Sequence, residues 1–166
     1  SHVNYSYRDL NGKTAQISKA ASMLAQKGII GIVSAGNSGA KVWKKINFLS
    51  DAQNILAVGA VDNKGTIATF SSVGNSADGR VNPDVVAQGY RTQCLTSRNF
   101  FSALNGTSFS TPVLCGMVAC LWEALPNKTA YEIMDIVRKS GDRADFPDNI
   151  YGYGLPDFWK AYNANK

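Results

Sequence analysis

Histidine is nearly missing from this chain: its 166 residues hold one, His2. A terminal histidine is normally mobile and solvent-exposed, so it is a poor candidate for a positioned acid or base. Cysteine is scarce as well. Three cysteines make an odd count and form no Cys-x-x-Cys pair, which argues against a disulfide framework or a paired metal site. Cys115 and Cys120 lie five apart, about 140° around a helix axis, and read as buried small hydrophobes. No apolar run reaches the roughly 20 residues of a membrane span, and no secretory signal opens the chain. Charge is sparse and scattered. Charged residues make up 17% and the net charge is +5, without the basic stripe and interleaved aromatics of a nucleic-acid surface. The small cluster Lys41, Lys44 and Lys45 reads as a solvated loop. No repeat, low-complexity tract or linker divides the chain, so residues 1–166 form one unit, large enough to bury about 70% of its unfolded surface.

What is present concentrates in two places. Residues 106–112 read Gly-Thr-Ser-Phe-Ser-Thr-Pro and open an apolar stretch ending at Leu125. A helix is expected over 107–124, apolar around most of its circumference and hence central and buried. Ser108 then sits where helix N–H groups point outward without partners. A hydroxyl there can attack an electrophile while the helix N-terminus stabilises the developing negative charge. Cys115, seven residues on, falls on the same side about 10 Å deeper and is expected in the core.

The second place is residues 29–39, Ile-Ile-Gly-Ile-Val-Ser-Ala-Gly-Asn-Ser-Gly. The apolar run predicts a strand over 29–34, buried on both faces of a parallel sheet. Asn37 follows at the strand's C-terminal end, where open α/β sheets bind ligands. It is either a turn residue or an amide donor to an oxyanion.

Elsewhere, 14–27 predicts a helix with Ile17, Ala20, Ala21 and Leu24 on its apolar side, closing at Gly28. Strands are expected at 55–61 and, short, around 66–70 and 84–87. Residues 89–105 read as a loop or hairpin, with Asn99, Phe100 and Phe101 packing beneath the shelf that holds Ser108. Thr129-Ala130-Tyr131-Glu132 is a capping box. It starts a helix that buries Ile133, Ile136 and Val137 and ends at Gly141. Leu155-Pro156-Asp157 places proline in the first turn of a last helix bearing Phe158, Trp159 and Tyr162.

The chain resembles the subtilisin-like serine peptidases. The resemblance rests on Gly106-Thr107-Ser108-Phe109-Ser110-Thr111-Pro112 with Gly116 following, and on Ala35-Gly36-Asn37-Ser38-Gly39. Residues 54–62, 70–74 and 78–87, and Gly152-Tyr153-Gly154 with Asp157 and Ala161, are similar to the family in the family's order. It spans about 13–164 and has a bacterial flavour; residues 1–12 lie outside the clear match. The family usually has proline where Asn75 and Gln88 stand.

The resemblance implies a three-layer α/β/α fold with a mostly parallel sheet, incomplete because the N-terminal strands and helices are missing. It implies a serine endopeptidase that forms an acyl-enzyme on Ser108, with Asn37 in the oxyanion hole. Ser34, Ala35 and Gly36 would form one wall of the pocket for the side chain before the cut. The family's Asp-His-Ser triad needs an aspartate and a His-Gly-Thr motif that do not occur here, since His2 is followed by Val3-Asn4-Tyr5. These residues are expected upstream, and the chain alone is expected to be inactive. The implied partners are a protein or peptide substrate and the missing N-terminal part of the domain, with self-association of the uncovered sheet. An extracellular or cell-envelope location is implied. No cofactor is evident; structural calcium is possible from the family, with no site readable. Two alternatives remain: a pseudo-peptidase that only binds, and a sedolisin-type serine-carboxyl peptidase, which would carry aspartate at the position of Asn37.

Overall fold

Three short parallel strands form the centre of the computed structural model, which describes residues 4–97 and 99–166. β2 (Leu56–Val61) lies between β1 (Ile32–Ser34) and β3 (Val85–Gln88), with Ile32 opposite Leu56 and Val58 opposite Val85. Every residue of β2 is buried, as expected of a strand paired on both sides and covered on both faces. β1 pairs on one side only among the described residues and is half-buried throughout. The expected burial of that strand on both faces therefore does not hold.

Alternate residues of β2 point into different layers. Leu56 and Val58 pack with Leu114, Val118, Leu121, Ile133 and Val137. Ala57 packs instead with Ile55, Ala52 and Ala21. One layer thus holds α2 (Thr107–Ala124), α3 (Ala130–Lys139) and α4 (Phe158–Asn163); the other holds α1 (Gln16–Ser22). The result is the α/β/α arrangement, with α2 crossing all three strands. One ion pair and a set of carboxylate hydrogen bonds tie the layers together. Asp84 accepts from Arg138 Nε at 2.7 Å and from Ala57 N at 2.7 Å, while Arg138 Nη2 donates to Ile55 O at 2.7 Å. Buried Asp51 accepts from Gly12 N and Ser18 Oγ, joining the N-terminal turn and α1 to the loop before β2.

Several expectations from the sequence are corrected here. The buried side of α1 is Ser18 and Ala21, while Ile17 and Ala20 face solvent. Residues 66–70 form only an isolated bridge, Ile67 with Val61. Asp157, not Pro156, starts α4, because its carboxylate accepts from Lys160 N. The segment after β3 is a hairpin of β4 (Thr92–Leu95) and β5 (Phe101–Leu104). Phe100 and Phe101 do not pack beneath the serine but are exposed. Nor is α2 buried all round. Thr107, Ser110, Leu114, Val118 and Leu121 are buried against the sheet, but Val113, Cys115, Met117 and Cys120 are exposed. Cys115 is therefore not a core residue. The physical reason is that only the sheet face of α2 has a partner layer among the described residues.

Candidate active site

The site is assembled where β1 ends and α2 begins. After Ser34 the chain turns at Gly36, whose φ of +113° only glycine adopts without strain. A β-carbon there would also lie 2.6 Å from Asn47 Nδ2 and 2.9 Å from Ser72 Oγ. The turn delivers Asn37 to the C-terminal edge of the sheet, exposed. Gly106 precedes α2 and donates its N–H to Gly89 O at 2.8 Å, which seats the serine loop on the end of β3. A β-carbon at Gly89 would lie 2.8 Å from Gly106 O, so this close approach also requires glycine.

Thr107 joins the two halves. Its N–H and Oγ1 donate to Asn37 Oδ1 at 2.9 and 3.0 Å, and Gly36 N donates to Thr107 Oγ1 at 3.3 Å. Two donors on one atom identify that atom as the carboxamide oxygen, so the amide NH₂ of Asn37 is the end left free. That nitrogen would lie 3.4 Å from a β-carbon on Gly106, beside the start of the helix. Ser108 is the second residue of α2 and exposed; among the described residues neither its Oγ nor its N–H has a hydrogen-bond partner. The N-cap residue is Gly106, with no side chain to cap the helix, and Asn37 Oδ1 takes the Thr107 N–H but not that of Ser108. A free hydroxyl, a free backbone N–H and a free carboxamide NH₂ thus share the positive end of an 18-residue helix, the layout that stabilises an oxyanion on an attacked carbonyl.

Ser34 is half-buried, and Ala35 and Gly36, which lead into Asn37, are buried. Asn47 was not foreseen. Its N–H donates to Ala35 O at 3.0 Å and its carboxamide lies against Gly36, so it packs on the same segment. Nothing in its sequence context, a lysine-rich loop, marks it. At the end of β2 on the same edge, Thr66 and Lys64 N–H groups hold the Asp62 carboxyl below the usual range. His2 lies outside the described residues, and among the described residues there is no histidine. Among the described residues no group of three or more His, Cys, Asp or Glu side chains is arranged to hold a metal.

Comparison with known proteins bears on the family and the fold. The model of the subtilase family (Peptidase_S8) matches residues 3–154. Subtilisin DY of Bacillus licheniformis is 30% identical over 155 residues, covering 92% of this chain and 53% of the relative. Serine protease AprX of Bacillus subtilis (strain 168) is 30% identical over 149 residues, covering 76% and 34%. Among solved structures, the self-cleaved protease domain of PatA superposes with a TM-score of 0.73 at 22% identity, covering 88% of this chain and 53% of that one. The chain thus spans about half the length of the first of these relatives. With the family model matched along most of its length and the fold shared, the chain belongs to the subtilase family.

Proposed function

We propose that this chain carries the nucleophile and oxyanion half of a serine endopeptidase site. The hydrogen bonds from Thr107 to Asn37 Oδ1 carry the reading, because they turn the Asn37 amide donors toward the start of the helix that bears Ser108. In the reaction, Ser108 Oγ attacks the scissile carbonyl carbon as a base takes its proton. The tetrahedral oxyanion rests on Asn37 Nδ2 and the Ser108 N–H. The C–N bond then breaks, the amine leaves with the proton, and water hydrolyses the acyl ester on Ser108. Ser34, Ala35 and Gly36, with Asn47, flank the side chain before the cut. The base and its aspartate come from the part of the domain that this chain does not span, which also covers the outer side of α2. Residues 1–166 alone therefore do not turn over peptide, since a serine without a base is a weak nucleophile. Asn37 favours this chemistry over the serine-carboxyl type, which uses aspartate there. The setting is extracellular or the cell envelope, by analogy with the subtilisins; no described helix is long and apolar enough to cross a membrane.

The test is fluorophosphonate labelling and peptide cleavage by the full-length protein, with the Ser108→Ala variant beside it. Serine-dependent labelling and cleavage are expected. A folded full-length protein that neither labels nor cleaves would mean that the cleft only binds peptide.

A further inference from the structure

The β4–β5 hairpin is inside out. Opposite residues in the ladder are Thr92 with Leu104, Gln93 with Ala103, Cys94 with Ser102 and Leu95 with Phe101. Each pair shares one face, and the two faces alternate. The face turned inward carries Thr92, Cys94, Ser102 and Leu104, mostly small or polar. The face turned to solvent carries Leu95, Phe101 and Ala103 beside Gln93. Leu95 is 61% exposed and Phe101 76%. A half-buried ribbon normally shows the reverse pattern, and a two-stranded ribbon is marginal alone. An outward apolar face of this kind marks a surface that something else covers.

What covers it is indicated by where the hairpin stands. Asn105 Oδ1 accepts from Arg91 N at 2.7 Å and Gly106 N donates to Gly89 O at 2.8 Å, so the hairpin's base is also the base of the serine loop. It rises at the β3 end, whereas the wall before the cut, Ser34 to Gly36, stands at the β1 end. At its base Gln93 lines an open cleft of about 600 Å³ together with Asp62, Asn63, Gln88, Tyr90 and Arg91, and the outward face continues from Gln93 and Ala103 to Leu95 and Phe101. The cleft's carboxamides, with Asp62 and Arg91 beside them, offer a peptide main chain both donors and acceptors, while the leucine and phenylalanine suit apolar side chains.

Resting on the peptidase reading above, we infer that the outward face of β4–β5 binds substrate beyond the scissile bond and selects apolar residues there. At about 3.3 Å per residue, Phe101 stands about 10 Å up the strand from Leu104. The apolar side chains it contacts are therefore about three to five residues past the cut.

The experiment uses the full-length protein with Leu95→Thr and Phe101→Thr, both conservative of strand structure on an exposed face. Three substrates share one acyl part: a p-nitroanilide, a peptide extended past the cut by Leu and Phe, and one extended by Ser and Gly. The wild type is expected to prefer the apolar extension. Each variant is expected to lower kcat/KM for that peptide about tenfold while leaving the p-nitroanilide unchanged. Equal kcat/KM for both extensions, or variants that lose no discrimination, would overturn the inference. So would variants that melt earlier and lose all three substrates alike, because the face would then be packing within the protein. Binding of the apolar peptide to the Ser108→Ala protein, read by fluorescence anisotropy, separates the two readings. If it weakens with Leu95→Thr and Phe101→Thr although the wild type cleaves nothing, the binding face stands and the peptidase reading falls.

Discussion

α2 and α3 follow one another in the chain and begin in opposite ways. At α3, Thr129 Oγ1 accepts from Glu132 N, and Glu132 accepts from Thr129 N at 2.7 Å, closing a reciprocal box. At α2 the N-cap residue is Gly106, with no side chain to close such a box; Asn37 Oδ1 takes the Thr107 N–H, and the exposed N–H of Ser108 is left free. The faces differ too. α3 buries Ala130, Ile133, Met134, Ile136 and Val137 and exposes Tyr131, Asp135 and Lys139, a one-sided helix. α2 is apolar on both sides and covered on one. The difference teaches that α3 satisfies itself within the described residues, whereas α2 leaves donors open at its start and apolar side chains open along its outer side.

The sharpest break of this contrast is at Ser108. Ser108→Ala should abolish peptide cleavage by the full-length protein while leaving its thermal midpoint unchanged, because the exposed hydroxyl makes no contact that the fold needs. In subtilisin, loss of the nucleophile costs about 10⁶ in kcat, and a loss of that order is expected here. A shifted midpoint would mean that the serine is structural, like Thr129.

Next come the two sides of α2. Leu114→Ala on the sheet side should cost about 2–5 kcal/mol in denaturant unfolding, as should Ile133→Ala in α3. Met117→Ala on the outer side should cost less than about 1 kcal/mol in the 166-residue chain and clearly more in the full-length protein. Equal costs in both settings would show that nothing covers that side. The same surface should make the 166-residue chain self-associate, and a monodisperse monomer at high concentration in light scattering would count against it.

The smallest effects belong to the capped end. Thr129→Ala should destabilise by about 1 kcal/mol, measured by chemical unfolding. Hydrogen bonds from Thr129 N–H, then from its hydroxyl, hold the Glu132 carboxyl below its ordinary value. A carboxyl lowered in the folded state contributes stability at neutral pH. That contribution begins to fade as pH falls toward the ordinary carboxylate range and is lost through the lower folded value. Glu132→Gln should flatten this acid limb, and an unchanged acid limb would refute the capping role.

Much of this was legible locally. The bounds of α2, the box at Thr129 and the strands expected at 55–61 and 84–87, within a residue of those observed, follow from short-range signals, whereas the meeting of Asn37 with the start of α2 was implied by the family resemblance. Those signals are caps, apolar runs and glycine spacing. Three features were not legible for one shared reason. Cys115, Phe101 and Ile17 are apolar residues in regular elements, and an apolar residue reads as core whether or not a partner layer is there to bury it. Asn47 was invisible for a related reason, since its role comes from a contact with Gly36 eleven residues away in sequence.

By itself, the sequence determined where α2 and α3 begin and which residues stand at each start, because backbone capping and residue periodicity act within a few positions. Only the tertiary structure decided which side of α2 meets the sheet, that the hairpin turns Leu95 and Phe101 outward, and that Thr107 fixes the orientation of the Asn37 amide. Those outcomes depend on which distant surfaces meet, and burial is a property of the pair in contact rather than of either residue alone.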